Sequence, residues 1–172
     1  SADLPSATAL RVADPQNPLL LGVSHDSRLI EPGWLYVVLP GRQTHGAHYL
    51  PQALERGAVA VALPAGEVRP SSLPPEYPTI LLQTPRREMA YLAEWIWGEP
   101  LSRLTLIGLT GTNGKTTTSS LLAQMIARHE GDVGLLGTVV TAGGGIKRDS
   151  QLTTLESPAL HQHFQTLVNA SV

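Results

Sequence analysis

Residues 104–117 read Leu-Thr-Leu-Ile-Gly-Leu-Thr-Gly-Thr-Asn-Gly-Lys-Thr-Thr. The apolar run predicts a strand over 104–109, and a glycine-rich turn follows. Leu121, Leu122, Met125 and Ile126 then mark one face of a helix that ends before Gly131. Strand, glycine loop and helix in that order suit a phosphate cradle. Glycines let backbone N–H groups converge on one anion, and the helix N-terminus adds the positive end of its dipole. Lys115 brings a point charge to β- and γ-phosphates, and the Thr116 hydroxyl suits Mg²⁺. A strict GxxxxGK[ST] pattern wants glycine where Leu109 stands, so the loop is a variant. The competing reading is a plain turn with a surface lysine. Paired glycines, lysine, tandem hydroxyls and strand–loop–helix order favour nucleotide binding together. The expected nucleotide-binding residues are Gly111, Thr112, Asn113, Gly114, Lys115, Thr116 and Thr117. Lys115 and Thr116 are the expected catalytic pair, and Thr116 the expected metal ligand.

Downstream, Val133 to Val139 predicts a strand parallel to 104–109, closing one right-handed βαβ unit. Gly143-Gly144-Gly145 suggests a hairpin turn. Ser157-Pro158 opens a helix with Leu160, Phe164, Leu167 and Val168 on one face. No strand follows that helix. Two parallel strands make no independent sheet, so the second unit is expected to be cut short and the chain to be the front part of a longer protein.

Upstream lies a small mixed unit. Strands are expected at Trp34 to Leu39, Ala58 to Leu63 and Thr79 to Gln83. Helices are expected over 48–56, closed by Gly57, and from Pro85 to about Trp97. The five prolines Pro64, Pro70, Pro74, Pro75 and Pro78 predict a loop over 64–78. The pattern is α/β, with domains expected over 1–101 and 102–172.

Composition narrows the function. Twelve basic and fourteen acidic residues leave a net charge of −2, which argues against a nucleic-acid partner. With 42% hydrophobic residues the chain can build a core. It has no cysteine, hence no disulfide, zinc-thiolate site or cysteine nucleophile. Its apolar runs are too short to span a bilayer and no signal segment opens it, so no membrane insertion and a cytoplasmic location are expected.

The stretch Leu106 to Thr118 resembles the ATP loop of the Mur ligases, ATP-dependent amino-acid-adding enzymes of peptidoglycan synthesis. The likeness is closest to the branch that adds the third residue of the stem peptide. Asp26-Ser27-Arg28, Glu31 to Val37, Gly41 to Gly46 and Tyr49 to Val61 are similar to that branch's uridine-binding domain, and Leu136-Gly137-Thr138 and Thr153 to Ser157 to later landmarks. The resemblance implies a uridine-binding domain followed by the start of a P-loop, Rossmann-like parallel-sheet ATPase domain. It implies that His25, Ser27, Arg42, Gln43 and Thr44 line the pocket for the UDP end of the substrate, and that Thr153 and Thr154 contact its muramoyl-peptide part. Leu152 and Leu155 stand where the family has asparagine and often proline. ATP and Mg²⁺ are the implied cofactors. UDP-MurNAc-L-Ala-D-Glu and a diamino acid, meso-diaminopimelate rather than L-lysine, are the implied substrates. A monomer is expected, and residues 1–172 alone are not expected to make product. A sister Mur or folylpolyglutamate-type ligase, or a non-catalytic UDP-sugar or nucleotide-binding module, are the alternatives.

Other polar residues have plainer expectations. His161 and His163, two apart on a helix, point to different faces and are expected to face solvent. His45 and His48 flank the uridine segment. Arg86, Arg87 and Glu88 fit a solvated helix face, and Trp95 and Trp97 fit packing. Arg28 either meets phosphate or pairs with Asp26.

Overall fold

The computed structural model describes residues 18–41, 44–129, 131–137, 140–143, 146–149 and 155–172. The chain divides into two units, Ser1–Ile96 and Trp97–Val172.

The first unit is built on a four-stranded parallel sheet, β1 (Gly22–Ser24), β2 (Trp34–Val37), β3 (Ala58–Pro64) and β4 (Thr79–Leu82), side by side in chain order. Its strands are almost uninterruptedly apolar, as a sheet covered on both faces requires. Tyr36, Val38, Ala58, Val61 and Leu63 pack with Ile30, Leu50, Ala53 and Leu73 into one core. The short helix α1 (Leu50–Glu55) supplies Leu50 and Ala53 to it. Leu35 and Val37 alternate to the opposite face and are fully buried. Helix α2 (Pro85–Ile96) buries Met89, Leu92 and Ala93.

Turn chemistry sets the entries and exits. Gly57 ends α1 at φ +93, as its place after the helical run predicts, and its N–H bonds the Leu54 carbonyl at 3.0 Å. The proline-rich segment 64–78 is organised by two side chains. Arg69 donates to the Thr79 hydroxyl at 3.0 Å and to the Tyr77 carbonyl at 3.2 Å, while the Tyr77 hydroxyl donates to the Ala58 carbonyl. Strand β1 and the 3-10 turn Ser27–Leu29 that follows it escape the sequence pattern, because each is only three residues long.

The second unit departs from its expected topology. Residues 105–111 join no strand ladder, so the expected parallel pair with 133–139 does not form among the described residues. A strand exists only by bonding to a neighbour, and 104–109 meets none there. Leu106 and Ile107 accordingly stand 54% and 57% exposed. The sheet that does form is β5 (Leu135–Leu136), β6 (Val140–Gly143) and β7 (Ile146–Asp149), all antiparallel. Gly143 pairs with Ile146 in the antiparallel ladder of β6 and β7, while Gly144 and Gly145, the rest of the expected hairpin turn, lie outside the described residues.

Helix α3 (Lys115–Ala127) has the expected position but buries none of its residues. Helix α4 (Ser157–Asn169) buries Pro158, His161, Phe164 and Leu167, a stripe rotated from the expected one. His161 is therefore a core residue rather than a solvent-facing one. Its ring stands edge-on to Phe164, and its Nδ1 lies 2.7 Å from the Ser157 carbonyl, which satisfies a polar atom that burial would otherwise penalise. Trp95, expected to pack, is 65% exposed. No helix among the described residues is long and apolar enough to cross a membrane.

Candidate functional site

The glycine loop is curled at two points. Gly111 has φ +154 and Gly114 φ +78, conformations that side chains rarely adopt. Gly114 caps α3, which begins at Lys115, and the Thr118 N–H bonds the Gly114 carbonyl at 2.9 Å. In this geometry the N–H groups of Lys115, Thr116 and Thr117 lie in the open first turn, free of intrahelical partners. Lys115 Nζ folds back over the loop and donates to the Gly111 carbonyl. A Cβ added at Gly114 would meet nothing within 4 Å. The loop is thus not flat, and the space beside Gly114 is open, while the Lys115 side chain lies over Gly111. Thr112, Asn113, Thr116 and Thr117 are all exposed around it. Free N–H groups, a lysine and open space fit a polyphosphate chain.

A second concavity lies in the first unit. His25, Asp26, Ser27, Arg28, Tyr49 and Gln52 line a cavity of about 340 Å³. The end of β1 delivers His25, the 3-10 turn delivers Ser27 and Arg28, and Tyr49 and Gln52 sit at the start of α1. Asp26 caps the 3-10 turn by accepting from the Arg28 N–H at 3.0 Å, and its carboxylate also takes the Arg28 guanidinium at 2.9 and 2.6 Å. Arg28 is thereby shown as the partner of Asp26. The side-chain bond from Arg28 holds the Asp26 carboxyl below the usual carboxylate range. Ser27 is buried, and its hydroxyl donates to Gln52 Oε1 at 2.6 Å. His25 Nδ1 is buried with no hydrogen-bond partner among the described residues.

The structure gathers His25 and Ser27 at this cavity. Thr44 approaches its rim, its Oγ1 lying 3.3 Å from the Tyr49 hydroxyl. His45 caps the 3-10 turn Gly46–Tyr49 and its Nε2 pairs with Glu67 at 3.1 Å. Arg42, Gln43, Thr153 and Thr154 lie outside the described residues. Sequence reasoning passed over Tyr49 and Gln52 as site residues. Their spacing of one helical turn, just after the uridine-like segment, was the available signal. Among the described residues no cluster of three or more histidine, aspartate or glutamate side chains suits a metal.

Two family models match the chain in succession. The Mur ligase family catalytic domain matches residues 20–93, and the Mur ligase middle domain matches residues 109–172. The UDP-N-acetylmuramoyl-L-alanyl-D-glutamate–2,6-diaminopimelate ligase of Streptomyces coelicolor is 39% identical over 163 residues, 94% of this chain and 32% of that protein. The ligase of the same name from Geobacillus thermodenitrificans is 38% identical over 156 residues, 91% of this chain and 31% of that one. The chain thus spans about 30% of the length of the curated relatives it matches. Among solved structures, a UDP-N-acetylmuramoyl-L-alanyl-D-glutamate–2,6-diaminopimelate ligase superposes with a TM-score of 0.61 at 25% identity, over 87% of this chain and 30% of that one. The MurF ligase of Thermotoga maritima, solved with ADP, shares the fold at a TM-score of 0.53 and 21% identity, over 87% of this chain and 30% of that one. With a cavity at the end of a parallel sheet in the first unit, a curled glycine loop in the second, and the two Mur ligase domain models matched in succession along the chain, the chain belongs to the Mur ligase family.

Proposed function

We propose that the chain carries the UDP-substrate and ATP sites of a cytoplasmic ligase of peptidoglycan synthesis. That ligase joins a diamino acid, meso-diaminopimelate rather than L-lysine, to the D-glutamyl carboxylate of UDP-MurNAc-L-Ala-D-Glu. The observation that carries this reading is the open curl from Gly111 to Thr117 at the head of α3. The names of the curated relatives supply the substrate class.

The chemistry is carboxylate activation. The γ-phosphoryl group passes to a carboxylate oxygen with release of ADP, the amine nitrogen attacks the acyl carbon, and phosphate leaves as the amide forms. The residues of this chain position and neutralise charge. The N–H groups at the head of α3 would hold phosphate oxygens. Lys115 would exchange the Gly111 carbonyl for the β- and γ-phosphates. The Thr116 hydroxyl, a hard oxygen donor, would meet Mg²⁺, whose remaining ligands are characteristically phosphate oxygens and waters. His25, Ser27 and Thr44, with Arg42 and Gln43, would receive the UDP end. Thr153 and Thr154 would receive the muramoyl-peptide end.

Calorimetry tests the proposal. The chain should bind UDP-MurNAc-L-Ala-D-Glu and, separately, ATP with Mg²⁺. Lys115→Ala should weaken ATP at least about tenfold, the loss of one charge-assisted contact, and leave the UDP-substrate affinity unchanged. Failure to bind either ligand would sink the reading.

A further inference from the structure

The cavity in the first unit divides its labour in a way that the sequence does not suggest. Ser27 is only 4% exposed, and its single hydroxyl proton is committed to Gln52 Oε1. Gln52 is exposed and lines the cavity. With Oε1 engaged from below, the carboxamide is oriented, and its Nε2 carries two N–H donors. No partner for Nε2 is found among the described residues. The neighbouring Asp26 carboxylate is occupied by Arg28, so it does not compete for these donors.

We propose that Gln52 is the residue that touches the ligand here, and that Ser27 is its positioning residue. The N–H groups of Gln52 Nε2 would bind an acceptor oxygen at the nucleoside diphosphate end of the substrate, either a pyrimidine carbonyl or a diphosphate oxygen. This rests on the proposed UDP-substrate site and reassigns the roles within it.

The test is calorimetric titration of the chain with UDP-MurNAc-L-Ala-D-Glu, with UDP and uridine as further probes and thermal unfolding as the control for folding. Gln52→Glu keeps the acceptor for Ser27 but replaces the donors with an anionic oxygen, and should weaken binding at least about tenfold. Gln52→Met, which is similar in size and has neither group, should weaken it about fivefold. Ser27→Ala should cost about threefold alone and nothing further in the Gln52→Met background, because it acts only through Gln52. A Gln52→Met penalty shared by uridine and UDP places the acceptor on the nucleoside. A penalty confined to UDP places it on the diphosphate. Either supports the assignment. Wild-type binding with Gln52→Glu unimpaired would overturn it, as would an undiminished Ser27→Ala penalty in the Gln52→Met background. Absence of wild-type binding would instead sink the functional reading on which it rests.

Discussion

Tyr36 is fully buried, and its hydroxyl donates to the Gly46 carbonyl at 2.8 Å. Tyr36→Phe strands that carbonyl and should cost about 1–2 kcal/mol in urea unfolding. Burial, the largest cause, also pushes the Tyr36 phenol from 10.0 up to about 12. A pKa raised on folding gives stability that is whole below the unfolded value and is lost as pH rises through the folded one. Stability should therefore fall between pH 10 and about 12, and Tyr36→Phe should lose less over that interval. Asp26 runs the other way. Its lowered pKa gives stability present above the ordinary carboxylate value and lost as pH falls through the folded one. Arg28→Gln should move the Asp26 midpoint back up in a carboxyl NMR titration. The Asp26–Arg28 pair was one of two readings that the sequence allowed, since residues two apart around a tight turn meet only if the turn closes. The burial of His161 is not legible in the sequence, because spacing alone says which faces two histidines take, and not which of those faces is covered.

Elements were most legible where local chemistry and tertiary packing agree. The helix expected over 48–56 rests on Tyr49, Leu50, Ala53 and Leu54 and the Gly57 stop; α1 uses Leu50, Ala53, Leu54 and Gly57 in those roles, whereas His48 and Tyr49 belong to the preceding 3-10 turn and Tyr49 is exposed. Gly57→Val should lower stability by more than about 1 kcal/mol, because a β-branched side chain resists φ +93 and a Cβ there approaches the Pro32 Cα to 3.0 Å. Leu50→Ala, at a fully buried position, should cost about 2–5 kcal/mol. Both are read from the shift in denaturation midpoint. Helix α4 was legible as a helix but not in its facing. The expected face held Leu160, Phe164, Leu167 and Val168, whereas the buried one holds Pro158, His161, Phe164 and Leu167, and hydropathy does not foresee a buried histidine whose Nδ1 meets the Ser157 carbonyl.

Across the whole molecule, protection should be uneven. The β2 and β3 amides pair on both sides within a four-stranded sheet, whereas those of 105–111 have no ladder partner among the described residues, and α3 buries no residue. Hydrogen exchange of the 172-residue chain should therefore show slow amides in β2 and β3 and fast ones over 105–111. Equal protection in both would contradict the described arrangement. The sequence by itself determined the family, the α/β character, the glycine loop at a helix head and the sites of turns, because these follow from residue types and spacings along a few adjacent turns of chain. Tertiary structure alone decided that 104–109 meets no strand partner among the described residues, that α4 turns His161 inward, and that Ser27 lies beneath Gln52. Each of those depends on which distant segment arrives as neighbour, and a strand, a buried face or a side-chain bond exists only once that neighbour is in place.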